Sequence, residues 1–125
     1  MAAKDVLGRD GEQVAVDYLV SNGMQILDRN WRCRYGEIDV VALDRGSLVV
    51  VEVKTRSGRT HGTAFESVTP AKVARLRALA AKWAYARRLK GGVGGRTAFD
   101  AIRVDVVALE RVANTYSLRH ERGVA

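Results

Sequence analysis

Hydrophobic positions change their period several times along the chain, and the changes mark its elements. Over 6–21, Leu7, Val14, Ala15, Tyr18 and Leu19 recur at helical spacing, with Asp5 as N-cap and Asn22-Gly23 as the stop. Gly8 and Gly11 lie on or beside that stripe, where a missing side chain lets a helix approach a sheet closely. Residues 24–29 read as a first strand and 30–35 as a connection. The segments 38–43 and 48–53 are β-branched and apolar, and Asp44-Arg45-Gly46-Ser47 between them is turn chemistry. A polar, glycine-bearing loop over 55–67 follows. Thr69-Pro70 opens a helix that runs to residue 90, with Val73, Leu76, Leu79, Ala80, Trp83 and Ala84 as its buried stripe. The glycine-rich stretch 91–95 ends it. A strand over 101–110 and an edge strand over 116–121 complete the chain. The order helix, three strands, helix, strand, strand predicts an α/β fold, a mixed sheet covered by helices.

The hairpin concentrates charge. If Arg45-Gly46 are its two loop residues, opposed positions sum to 91, so Asp39 faces Glu52 and Glu37 faces Lys54. Side chains alternate along a strand, which places all four groups on one face. Opposed carboxylates at roughly 5 Å repel by about 3 kcal/mol at an effective dielectric near 20. A divalent cation reverses that sign, and Mg²⁺ is commonly held by one or two carboxylates with waters and phosphate oxygens. Lys54 is then placed to orient a water or to stabilise charge on a phosphate. The plain alternative is a set of cross-strand ion pairs on a solvated hairpin. Against it, Val49, Val50, Val51 and Val53 make the second strand buried on both faces, where charges must be paired or bind metal. Glu12, on the flank of the first helical stripe, can lean over the sheet edge toward this cluster, or remain a solvated helix acid.

Composition narrows the partner. The chain has 125 residues and a net charge of +7, and 47% of it is hydrophobic, which fits one soluble domain. Cys33, its single cysteine, allows no internal disulfide and no zinc cluster, and the charged N-terminus has no signal-like apolar core; both fit the cytoplasm. From Lys54 to Arg96 there are eleven Lys and Arg and one acid, Glu66. A localised basic surface points to a polyanion, most simply nucleic acid, against the alternative of a solvated charged face. Candidate contacts are Arg32 and Arg34, mixed with Trp31 and Tyr35 as cations and aromatics that can grip phosphates and stack on bases. Arg56 and Arg59 in the loop join them, as do Lys72, Arg75 and Lys82 along one flank of the second helix. His61 in the loop receives no role, and Trp31 can equally cap the core.

Gly11-Glu12, Asn30, Gly36-Glu37-Ile38-Asp39, Glu52-Val53-Lys54-Thr55-Arg56, Lys72 and Arg103-Val104-Asp105-Val106-Val107 together resemble the signature of the YraN-like family, over nearly the whole chain. That family is similar to the PD-(D/E)xK restriction-endonuclease-like superfamily and, within it, to archaeal Holliday-junction resolvases; Ile38 stands where the superfamily's motif has proline. The resemblance implies an α-β-β-β-α-β core, Mg²⁺ or Mn²⁺ dependence and phosphodiester hydrolysis. It implies Asp39 and Glu52 as metal ligands, Lys54 as the catalytic lysine and Glu12 as the first-helix acid completing the site.

The resulting expectation is a small metal-dependent endonuclease acting on DNA, including branched or recombination intermediates. Cutting two strands symmetrically would suit a twofold homodimer. Two other readings stand beside it: a nucleic-acid-binding protein that retains the fold without catalysis, and an interaction module whose basic face meets an acidic protein.

Overall fold

Arg45 and Gly46 both adopt positive φ, 51° and 90°, the requirement of a type I′ turn. This turn joins two central strands at the expected register, with Val40 opposite Val51 and Leu43 opposite Leu48. The computed structural model describes residues 3–57, 68–89 and 99–124. Its elements are α1 (Ala3–Ser21), β1 (Gln25–Cys33), β2 (Gly36–Asp44), β3 (Ser47–Ser57), α2 (Pro70–Leu89), β4 (Ala101–Val112) and β5 (Thr115–Glu121). The strands form one sheet in the order β1-β2-β3-β4-β5. All neighbours are antiparallel except β3 and β4, which run parallel and are joined through α2. The α-β-β-β-α-β core is therefore present, with β5 added at one edge.

The alternation of β3 separates two cores. Val49 and Val51 pack with Ala15, Val16 and Leu19 of α1, while Leu48 and Val50 pack with Val73, Leu76 and Leu79 of α2. The helices thus cover opposite faces of the sheet. Gly11 is where α1 comes closest to β3: a Cβ there would sit 2.6 Å from Thr55 Oγ1, so only glycine fits without a shift. Thr69 caps α2 as expected, its Oγ1 accepting from the Lys72 N–H at 3.2 Å.

Two boundaries differ from the sequence expectation. The stretch after Arg29 is not a connection: β1 continues to Cys33, pairing Trp31 with Ile38 and Arg32 with Glu37. Asn30 makes this possible by taking a left-handed φ of 52°, which keeps its side chain on the α1 side while Trp31 packs toward α2. Likewise 55–57 extends β3. Arg59 and His61 of the expected loop, and the glycines of 91–95, lie outside the described residues.

Candidate active site

Beyond the Val40–Val51 pair the ladder between β2 and β3 stops, and a side chain takes over. Asp39 Oδ2 accepts the backbone N–H of Val53 at 2.8 Å, which fixes its carboxylate in the fork between the two strands. Glu52, only 7% exposed, points to the α2 face beside it, close enough for the two carboxyl groups to share a hydrogen bond. Lys54, two residues along the same face, has its Nζ 3.4 Å from Glu52 Oε2. Lys72 reaches the same oxygen from the first turn of α2 and makes the closest ion pair of the site. A cavity of about 390 Å³ opens over these groups, lined also by Gly36, Glu37 and Arg75.

Electrostatics sorts the two acids. Burial pushes the Asp39 carboxyl up to about 6; the Val53 amide opposes that rise, and the neighbouring Glu52 charge adds to it. Burial acts on Glu52 in the same direction, but the Lys72 and Asp39 hydrogen bonds and the charges of Lys72 and Lys54 outweigh it and hold Glu52 below its ordinary range. The hydrogen bond to Glu52 in turn raises Lys72. Below about pH 6 the pair therefore carries a proton on Asp39, and Glu52 is an anion already covered by ammonium groups. Paired carboxyls driven apart in this way are a known arrangement of acid–base sites, and they also occur in structural ion-pair networks.

The expected residues do not all converge. Asp39, Glu52 and Lys54 meet. Lys72, expected only among cations on a helix flank, belongs to the cluster itself, and Arg75 lines the cavity beside it. Glu12 is elsewhere: its Oε1 accepts from Arg29 Nη2 at 3.1 Å and Asn30 Nδ2 at 2.9 Å, and it is not among the residues lining the cavity. Glu37 lines the cavity but pairs with Arg32 at 3.0 Å rather than with Lys54. Arg56 follows Lys54 on the same side of β3 and is half-buried. Arg34 and Lys82 flank Tyr35, 5.5 Å and 4.2 Å from its ring centroid.

The first helix and β4 hold a second polar cluster that sequence reasoning missed. Asp105 is fully buried on the α1 face and accepts from Arg103, from the Gly123 amide at 3.0 Å and from His120 Nε2 at 2.8 Å. His120 Nδ1 meets the Tyr18 hydroxyl at 2.9 Å, and Arg103 also binds Asp44 at 3.0 Å. Burial alone would raise Asp105, but His120 and Arg103 outweigh it and keep its pKa low. The readable signal was an acid inside the apolar run of β4, which requires partners.

A model of the uncharacterised protein family UPF0102 matches residues 11–109, a span that holds Asp39, Glu52, Lys54 and Lys72 together with Arg103 and Asp105, while His120 and Gly123 lie beyond it. The chain belongs to that family. A UPF0102 protein of Arthrobacter sp. (strain FB24) is 50% identical over 125 residues, 99% of each chain. A UPF0102 protein of Kineococcus radiotolerans is 54% identical over 107 residues, 86% of this chain and 82% of its own. A third UPF0102 relative, from Frankia casuarinae, is 59% identical over 83 residues, 66% of this chain and 70% of its own. UPF0102 is thus the setting in which the Asp39–Glu52–Lys54–Lys72 cluster has to be explained. No helix among the described residues is long and apolar enough to cross a membrane.

Proposed function

We propose that this protein hydrolyses phosphodiester bonds in DNA, with Asp39 and Glu52 as ligands of a Mg²⁺ or Mn²⁺ ion. The observation that carries this reading is the pair of carboxyls brought together in a cavity that Lys54, Lys72 and Arg75 also line, with burial and the neighbouring charge pushing Asp39 up to about 6. The donor set fits: both ligands are hard oxygens, they converge from adjacent strands, and the repulsion between them is what a divalent ion removes. Among the described residues no third His, Cys, Asp or Glu joins them, so waters and substrate oxygens would complete the shell. When bound, the ion would supply charge neutralisation to the phosphate and acidity to a coordinated water.

The protein's own groups divide the remaining work. The Val53 amide holds Asp39 in one orientation. Lys54 stands beside Glu52, where its ammonium can orient the attacking water or stabilise the charge that builds on the phosphate. Lys72 and Arg75 bring positive charge from α2 to the cavity lining, Lys72 directly against Glu52, where they would meet the non-bridging oxygens of a phosphate. Glu12, held by Arg29 and Asn30, braces α1 against β1 and stays outside this set.

The test is a Mg²⁺-dependent cleavage panel across single-stranded, duplex, flap and four-way-junction DNA. Asp39→Ala and Lys54→Ala should each abolish cleavage while leaving DNA binding nearly intact; cleavage surviving both removes the mechanism. A second reading, a DNA-binding protein without catalysis, is favoured by the two lysines that already neutralise Glu52. It predicts no Mg²⁺-linked rise in melting temperature.

A further inference from the structure

Five side chains around the β1–β2 turn, Arg29, Trp31, Arg32, Arg34 and Tyr35, share the composition of a nucleic-acid contact, and the fold separates them. Arg29 is taken by Glu12, Arg32 by Glu37, and Trp31 packs into the core under α2. Tyr35 is left at the turn, 59% exposed, immediately before Gly36, which lines the cavity. Arg34 and Lys82 hold cations against its ring, 5.5 Å and 4.2 Å from the centroid, one residue away from that cavity-lining glycine. Lys72, Arg75 and Lys82 follow one flank of α2, so a row of positive charge runs from Glu52 to Tyr35. Ten helical residues separate Lys72 from Lys82, or about 15 Å, the length of a few nucleotides.

We propose that Tyr35 is a stacking platform for an unpaired base next to the phosphate held in the cavity, so that the preferred substrate is DNA with a single-stranded segment at the cut. This rests on the nucleic-acid reading above and narrows it. In a continuous duplex every base is stacked within the helix, and an aromatic ring beside the backbone finds no base face to meet. A single strand offers both: phosphates for Lys72, Arg75 and Lys82, and a free base for the ring. Lys82 is a flexible side chain, so it can move from the ring to a phosphate as the base arrives, and the cation–π contact it loses is replaced by stacking.

The experiment measures binding without cleavage, by fluorescence anisotropy in EDTA, with a labelled single strand of mixed sequence and the blunt duplex of the same sequence. Tyr35→Ala should weaken single-strand binding about tenfold, Tyr35→Phe less than twofold, and neither should change duplex binding by more than twofold. Melting curves of both variants should match the wild type, because the ring is exposed. If wild-type binding is intact and Tyr35→Ala leaves single-strand affinity unchanged, the platform is refuted while the nuclease reading stands. Equal losses on both probes, or an equal loss in Tyr35→Phe, refute stacking on an unpaired base. Absence of binding to either DNA overturns the nucleic-acid reading, and the platform with it.

Discussion

Asp39 shows at the level of one residue how this site is held against its own stability. Its carboxyl has a folded-state pKa of about 6 against an ordinary value of 3.8. A raised value means the native state prefers the protonated form. The group therefore favours folding fully below pH 3.8, and that contribution is lost as pH rises through 6. Asp39→Asn keeps an oxygen for the Val53 amide and removes the charge. With metal chelated, it should stabilise the protein at pH 8 by on the order of 2 kcal/mol, allowing for solvent near the group, and give little gain at pH 4. Urea unfolding at the two pH values checks this; an Asn variant less stable at pH 8 would show that the carboxylate is not strained. Asp105 behaves in the opposite sense. Its pKa is lowered, so its contribution is present at neutral pH and is lost as the solution is acidified through its folded value. Asp105→Ala strips a buried carboxylate from His120, Arg103 and the Gly123 amide and should cost about 3 kcal/mol at pH 7, read from the same denaturant curves.

At the level of elements, local rules carried most of the fold. The Arg45-Gly46 turn fixed the register of β2 against β3, and the valines of β3 announced a strand buried on both faces. Thr69-Pro70 marked the start of α2. Gly11 was readable as a close approach to the sheet, and its partner Thr55 predicts the result of filling it. Gly11→Val should lower the melting temperature by several degrees, since even a Cβ meets Thr55 Oγ1 at 2.6 Å. Where reading failed, the missing quantity was an angle between elements. Lys72 reaches Glu52 because the first turn of α2 lies over the end of β3, and no spacing within α2 encodes that. Glu12 faces Arg29 because α1 lies on the side of the sheet away from Glu52. The continuation of β1 was hidden by two breaks in the two-residue alternation: the register shift between Ile26 and Asp28, and the left-handed backbone of Asn30.

For the whole molecule the dominant fact is asymmetry of charge. The net charge is +7, and Lys54 of β3 with Lys72 and Arg75 of α2 line the cavity. If about five phosphates are contacted, the affinity for duplex DNA should fall with salt at a log–log slope near −4.5. Titration between low and physiological salt checks this, and a flat slope would favour an acidic protein as the partner. Lys72→Ala and Arg75→Ala should each make the slope less steep by about one.

The parallel pairing of β3 with β4 also has a kinetic consequence. The antiparallel pairs β1–β2 and β2–β3 are each closed by a tight turn, whereas β4 can join β3 only after the whole chain between Ser57 and Ala101 has been brought back across the sheet. Non-local closure of this kind carries an entropic penalty that is met late in folding. In stopped-flow measurements Val41→Ala should therefore slow refolding, while Val104→Ala should mainly accelerate unfolding. The carboxyl pair of Asp39 and Glu52 would form early, with the β2–β3 hairpin, and wait for Lys72 to arrive with the second half of the chain.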